Sequence, residues 1–202
     1  ELQVEKPRTL RLRAGFDGGR AQAVVRHRSD ATFDGKTVCD GWLLWETPDG
    51  RSQLGGAFST RLQGAISAKC AAAPDAFDGG WATEWQLGAD ASTRCALHHF
   101  AALVPSVAHR EPDRQAVRLC YLMAERGWEQ LRDENRAQWA ELWQGRPLLH
   151  GAQSKWQRIA DACFFYLHSS AHRSSPCSTG LFGVGQWPGY HCFHGHVFWD
   201  IE

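Results

Sequence analysis

The apolar residues of this chain change their spacing near Pro112, and this change divides the sequence into two structural classes. Before it, short segments such as residues 9–13 alternate apolar and polar side chains, which is typical of a strand with one buried face. After it, apolar residues recur every three or four positions, which is the spacing of an amphipathic helix. We therefore predict antiparallel strands up to about residue 108, followed by helices over residues 112–143 and 152–171.

Turn signals separate the strand candidates of the first part. Besides residues 9–13, these candidates are residues 22–26, 41–46 and 93–97. Gly and Asp supply the left-handed backbone conformation, or the local side-chain hydrogen bond, that tight turns require. Repeated short strands with such turns predict an antiparallel β-sandwich. The turn signals are Asp17-Gly18-Gly19, Asp34-Gly35, Asp49-Gly50 and Asp78-Gly79-Gly80.

The segment from Ala152 to Ala171 carries the clearest helical pattern. Burial of a Phe or Leu side chain contributes about 1.5–3 kcal/mol, so we expect its apolar stripe to be buried and Lys155 and Gln157 to lie outside it or at its edge. The stripe consists of Trp156, Ile159, Cys163, Phe164 and Leu167.

The composition argues against several classes of function. Basic and acidic residues both number 22, so neither nucleic acid nor an anionic membrane is an expected partner. The sequence has no apolar run of about 18 residues, and residues 1–6 are not a signal peptide. The seven cysteines include no C-x-x-C pair, which favours free thiols in a reducing compartment over a disulfide framework or a four-cysteine zinc site. We therefore predict a cytoplasmic location.

An aromatic plane lies beside two carboxylates in the last segment, Gly195-His196-Val197-Phe198-Trp199-Asp200-Ile201-Glu202. A pyranose can stack its apolar face on an indole while its hydroxyls donate to a carboxylate. In an extended segment Asp200 and Glu202 point to the same face, so we expect them to bind hydroxyls rather than to act as an acid–base pair across a glycosidic bond. The alternative is that Phe198 and Trp199 are core aromatics and the two acids are surface charges.

A compact group of histidines and one cysteine overlaps this segment. Imidazole and thiolate suit zinc, but the spacing matches no standard zinc site and no distant ligand pair is visible. We therefore predict no metal and no other cofactor. In the favoured interpretation His196 lines a sugar pocket and the other members orient it; the group is His191, Cys192, His194 and His196.

Four segments, in order, carry a resemblance to a known family. Residues 139–143 look like a W-x-x-L-W linker helix, residues 157–170 like a first barrel helix, and residues 179–181 like a P-x-G-L turn. Residues 195–202 are similar to a G-H-x-F-W-D-x-E segment. Together they resemble glycoside hydrolase family 65, the inverting α-glucosidases and α-glucoside phosphorylases of trehalose, maltose, kojibiose and related sugars. Residues 186–193 lie between the turn at residues 179–181 and the segment at residues 195–202. This connection is longer than is usual in the family, which leaves the sugar specificity open.

The resemblance implies a partial β-sandwich over residues 1–110, a helical linker over 111–147 and the truncated start of an (α/α)6 catalytic barrel over 148–202. It implies that Trp199 and Asp200 bind the glucosyl unit at the cleaved end, and that the general-acid glutamate lies beyond this sequence. The chain is then a fragment that is inactive by itself. A truncated barrel would leave part of the stripe of residues 152–171 exposed.

The resulting hypothesis is a fragment of an enzyme that hydrolyses α-glucosidic bonds with inversion. One alternative is an α-glucoside phosphorylase of the same family, with inorganic phosphate as co-substrate; the alternative from another class is a non-catalytic carbohydrate-binding module. The expected partner is a small α-glucoside or α-glucosyl oligosaccharide, and a homodimer of the full-length parent stays open. The predicted substrate-binding residues are His196, Phe198, Trp199, Asp200 and Glu202.

Overall fold

The computed structural model describes residues 2–3, 8–18, 23–64, 68–74, 77–89, 94–151 and 153–170. The strands among them are β1 (Leu2–Gln3), β2 (Arg8–Phe16), β3 (Val24–Phe33), β4 (Lys36–Glu46), β5 (Gln53–Gln63), β6 (Ala68–Ala73), β7 (Trp81–Ala89) and β8 (Arg94–Pro105). The helices that follow are α1 (Pro112–Arg126), α2 (Trp128–Leu142), a 3₁₀ turn (Trp143–Gly145) and α3 (Ser154–Ser170). The predicted change from strands to helices is therefore confirmed.

The strands pair into two antiparallel sheets within the described residues. The larger sheet has the order β1-β8-β5-β4-β3, and the smaller has the order β2-β7-β6. Phe16 of the smaller sheet packs edge-to-face against Trp45 and Phe58 of the larger one, with ring centroids 5.7 and 5.5 Å apart. Leu43 and Trp81 belong to the same core. The two sheets thus pack face to face, as expected for a β-sandwich.

The turn between β3 and β4 shows how local sequence sets a hairpin. Asp34 and Gly35 both adopt positive φ, 49° and 72°, which suits the twist of a two-residue hairpin loop. Gly50 and Gly79, from two of the other predicted turns, also have positive φ. Three of the four predicted Asp-Gly signals therefore correspond to chain reversals, and Asp17-Gly18-Gly19 extends outside the described residues.

Helix α1 covers the face of the larger sheet opposite the aromatic core. Its inward residues Ala116, Cys120 and Ala124 recur every fourth position and are fully or almost fully buried. Small side chains at this spacing let the helix approach the sheet closely. The indole nitrogen of Trp42 donates to the Asp113 carboxylate at 3.0 Å and so ties the first turn of the helix to β4.

A β-bulge in β4 decides which face Cys39 occupies. Ser29 pairs with Trp42 and Ala31 pairs with Cys39, so two steps along β3 match three steps along β4. Simple alternation would place Cys39 on the same face as Leu43. The extra residue reverses this relation: Leu43 lies in the aromatic core, whereas Cys39 packs in the cluster with α1.

The close approach of α1 gives a testable prediction for Gly55 of β5. A Cβ at this position would overlap backbone atoms of Pro112 and Asp113, which cannot move without displacing the helix. We expect Gly55→Ala to lower the free energy of unfolding by about 1–3 kcal/mol in denaturant titrations. Gly88→Ala in β7 is the matched control, because a Cβ there meets no heavy atom within 4 Å. Equal stability of the two variants would contradict the close helix–sheet contact.

The chain divides into two compact units, Glu1–Leu131 and Arg132–Glu202. The first holds the two sheets and α1, and the described part of the second holds the end of α2, the 3₁₀ turn and α3. The (α/α)6 barrel stays a prediction, as do the domain boundaries predicted after residues 110 and 147.

Candidate functional site

The predicted sugar-binding residues lie outside the described residues, which end at Ser170. The same holds for the other members of the histidine–cysteine group, so the arrangement of both sets stays a prediction. The described part of the second unit precedes them in the chain, and its contacts show how α3 is held. The residues outside the description are His191, Cys192, His194, His196, Phe198, Trp199, Asp200 and Glu202.

Gln157 joins α3 to the segment that precedes it. Its side-chain oxygen accepts the backbone N–H of Leu149 at 2.9 Å, and its amide nitrogen donates to the Pro147 carbonyl at 3.0 Å. The same amide nitrogen donates to Oδ1 of Asp161 at 2.8 Å, and Oδ2 of Asp161 lies 3.8 Å from the Arg146 guanidinium. One side chain thus binds both the incoming backbone and the next turn of the helix.

An aromatic cluster joins the end of α2 and the 3₁₀ turn to α3. Trp139 stacks on Phe165 with ring centroids 5.1 Å apart and planes at 27°. Trp143 packs on Phe164 at 5.2 Å, and Phe164 packs on His168 at 4.4 Å. Each such pair contributes about 0.5–1.5 kcal/mol beyond the burial of its area. The two tryptophans of the W-x-x-L-W segment therefore contact the helix that resembles a first barrel helix.

The burial predicted for the apolar stripe of α3 is wrong for most of its residues. Trp156, Ile159 and Leu167 are 52%, 45% and 55% exposed, and Cys163 is exposed as well. Phe164 is the member of the stripe that is half-buried.

The opposite face of α3 makes the contacts. Some residues of α3 contact the end of α2, and others contact the segment just before α3. At 3.6 residues per turn, all of them lie on one side of the helix, roughly opposite Trp156, Ile159 and Cys163. Gln157, predicted to lie outside the stripe or at its edge, is half-buried and belongs to this contacting face. The contacting residues are Gln157, Asp161, Phe164, Phe165 and His168.

A hydrogen-bonded group around Asp40 and Thr60 lies between the two sheets of the first unit. One carboxylate oxygen of Asp40 accepts from the Thr60 backbone N–H at 2.6 Å and from the Thr60 hydroxyl. The Trp85 indole donates to the Thr60 hydroxyl at 3.0 Å, and the Trp81 indole donates to the Asp40 carbonyl at 2.8 Å. Because these bonds connect β4 and β5 to β7, we assign the group a structural role. The sequence gives no local signal for it, since the four residues come from three strands.

The described residues contain neither a cluster of metal-ligating side chains nor a membrane-spanning helix. Among them, no group of three or more His, Cys, Asp or Glu side chains is placed to hold a metal ion. Within the same residues, no helix combines the length and the apolar character needed to cross a membrane.

The fold and the comparisons with known proteins point in one direction. A two-sheet antiparallel unit followed by helices is the order implied by the resemblance to glycoside hydrolase family 65. No family model matches the chain. A kojibiose hydrolase of Flavobacterium johnsoniae is 31% identical to it over 106 residues, which are 51% of this chain and 14% of that protein. The chain thus spans a small part of this relative, and the similarity supports a relation to glycoside hydrolases.

Proposed function

We propose that this chain is part of an enzyme that hydrolyses α-glucosidic bonds with inversion at the anomeric carbon. The observation that carries the proposal is the 31% identity to a kojibiose hydrolase. The order of strands and helices supports it, as does the packing of Trp139 and Trp143 on α3. The substrate is then a small α-glucoside or α-glucosyl oligosaccharide.

In this proposal the terminal segment binds the glucosyl unit. Trp199 stacks on the apolar face of the ring, and the Asp200 carboxylate accepts hydrogen bonds from the ring hydroxyls. These hydrogen bonds strengthen as positive charge develops on the ring. His196 and Phe198 line the pocket and Glu202 supports it. An inverting hydrolase holds its general acid and general base about 6.5–9.5 Å apart, with a water on the opposite face of the sugar. The general-acid glutamate comes from sequence outside these residues, and no metal or organic cofactor takes part.

Product analysis of the natural polypeptide that contains these residues tests the proposal. With kojibiose, trehalose or maltose we expect glucose release without phosphate, and the cleaved glucosyl unit should first appear as the β-anomer by ¹H NMR. First appearance of the α-anomer would contradict inversion. The 202-residue chain is the control: we expect it to release no glucose, because one carboxylate of the required pair is missing.

The same experiment separates the alternatives. A strict requirement for inorganic phosphate, with glucose 1-phosphate as a product, would establish the phosphorylase alternative. Saturable sugar binding by the natural polypeptide without any turnover would establish the carbohydrate-binding module. Either result would overturn the hydrolase proposal while retaining a sugar ligand.

A further inference from the structure

Strand β8 of the larger sheet is paired along its whole length on one side only. On that side it pairs with β5 from Ala96 to Pro105, whereas on the other side β1 reaches only Arg94 and Cys95. Among the described residues, no strand lies beside residues 97–104 on the β1 side. Backbone groups that point to this open side can therefore pair with a further strand.

The side chains of β8 suit a strand neighbour better than they suit water. No Lys, Arg, Asp or Glu occurs within residues 95–105. One face of the strand is buried in the cluster with α1. On the other face His99 packs on Phe58 of the aromatic core, and Leu103 is more than half exposed. A strand beside β8 would thus continue two apolar surfaces, one on each face of the sheet.

The other long edge strands differ from β8 in sequence and in pairing. β3, at the opposite edge of the same sheet, carries Arg26, Arg28 and Asp30, and its pairing with β4 is interrupted by register shifts. β2, at one edge of the smaller sheet, carries three arginines. Charges and bulges keep edge strands from pairing with further chains. Residues 96–105 of β8 have no such charge, and their register with β5 is continuous.

The pairing of β1 shows which segment of polypeptide can occupy the open side. Leu2 pairs with Cys95 and Gln3 pairs with Arg94, so residue numbers fall along β1 as they rise along β8. An extended polypeptide that enters β1 therefore runs beside β8 from Ala96 toward Pro105. A strand in this position continues a ladder that β1 has already begun, so its register is set in advance.

We propose that the open side of β8 is the docking site of a strand that directly precedes β1 in the natural polypeptide. This strand extends β1 antiparallel to β8 and makes β8 an interior strand of the larger sheet. It carries apolar side chains on both faces, because one face of β8 belongs to the cluster with α1 and the other adjoins Phe58. The strand rests on the proposed function in one respect, namely that this chain is part of a longer enzyme.

Photo-cross-linking of the natural polypeptide tests this assignment. Leu103 is replaced by benzoylphenylalanine, for which its exposed position leaves room, and the linked peptides are mapped by mass spectrometry after irradiation. We expect the main link to join position 103 to a peptide within about ten residues upstream of Glu1, because the register of β1 continued along β8 places that stretch opposite it.

Phe33 is the matched control position. It is exposed at the end of β3, on the opposite edge of the same sheet, and benzoylphenylalanine there should give no link to the upstream peptide. The proposal is overturned if position 103 links mainly to a second copy or to residues 171–202, or forms no link. It is also overturned if positions 33 and 103 link equally to the upstream peptide.

Hydrogen exchange of the same polypeptide requires no substitution. With a strand on each side, all backbone amides of residues 97–104 should exchange slowly, whereas an open side would leave about half of them in fast exchange. β3 provides the internal reference for an edge strand. Fast exchange of about half of the amides in β8 would contradict a docked strand. Neither measurement uses turnover, so an inactive polypeptide with these links and this protection would refute the proposed function and retain the strand.

Discussion

Replacing Asp200 by Asn in the natural polypeptide is expected to lower kcat/KM for its α-glucoside by at least about tenfold, or about 1.4 kcal/mol of transition-state stabilisation. The substitution keeps the shape of the side chain but removes the charge that strengthens its hydrogen bonds to the sugar hydroxyls as the ring gains oxocarbenium character. Trp199→Ala should cost a similar amount through lost stacking. Steady-state kinetics on the substrate identified by product analysis measure both losses.

Asp34→Asn is the matched control for the same chemical change. Asp34 lies in the exposed turn between β3 and β4 with φ of 49°, a conformation that Asn also adopts readily. We expect it to leave kcat/KM unchanged. If Asp200→Asn behaves like Asp34→Asn while circular dichroism shows an intact fold, Asp200 does not bind the sugar and the assignment of the terminal segment fails.

Truncation of Phe58 is expected to have the largest effect on stability. Its side chain is completely buried in the aromatic core, where it contacts Phe16 edge-to-face and lies against His99 with ring centroids 5.4 Å apart. Removing a buried aromatic ring loses its transfer free energy and leaves a cavity, so Phe58→Ala should lower the free energy of unfolding by about 3–5 kcal/mol. Denaturant titration of the 202-residue chain measures the change.

Phe33→Ala tests whether burial is the cause. Phe33 lies at the end of β3 and is 71% exposed, so its truncation should change stability by no more than about 0.5 kcal/mol. Should Phe58→Ala fail to fold, Phe58→Leu retains most of the apolar volume and should give a smaller, measurable loss. Equal losses for Phe58→Leu and Phe33→Ala would show that the two sheets do not pack around Phe58.

Four of the eight described strands, β2, β3, β4 and β8, were predicted from the sequence, whereas β1, β5, β6 and β7 were not. β5 (Gln53–Gln63) has both faces buried, one against α1 and one against the smaller sheet, so its sequence lacks the alternation of a half-buried strand. β6 (Ala68–Ala73) consists mostly of alanine, which has little strand propensity, and forms by pairing with β7 (Trp81–Ala89). These strands depend on partners that are distant in sequence.

The terminal segment illustrates a different limit. Its Trp, Asp and Glu are close in sequence, so local chemistry suffices to propose a sugar-binding surface around Trp199 and Asp200. The acid that completes a glycosidase site must lie across the sugar from such residues, and no local pattern identifies it.

Helix α3 shows most directly where sequence reasoning stops. Periodicity correctly predicted a helix, and it showed that Trp156, Ile159 and Cys163 share a face. It did not reveal which face the unit uses, and the hydrogen bonds of Gln157 and the ring stacking of Phe165 use the opposite one.

The amino-acid sequence by itself determined the order of strands and helices, the Asp-Gly turns and the composition of each helical face, because these follow from interactions within a few residues. The tertiary structure alone decided three further features. They are the bulge that turns Cys39 toward α1, the hydrogen bonds around Asp40 and Thr60 that join β4, β5 and β7, and the face on which α3 is held. Each depends on the pairing or packing of elements far apart in the chain, which no local pattern encodes.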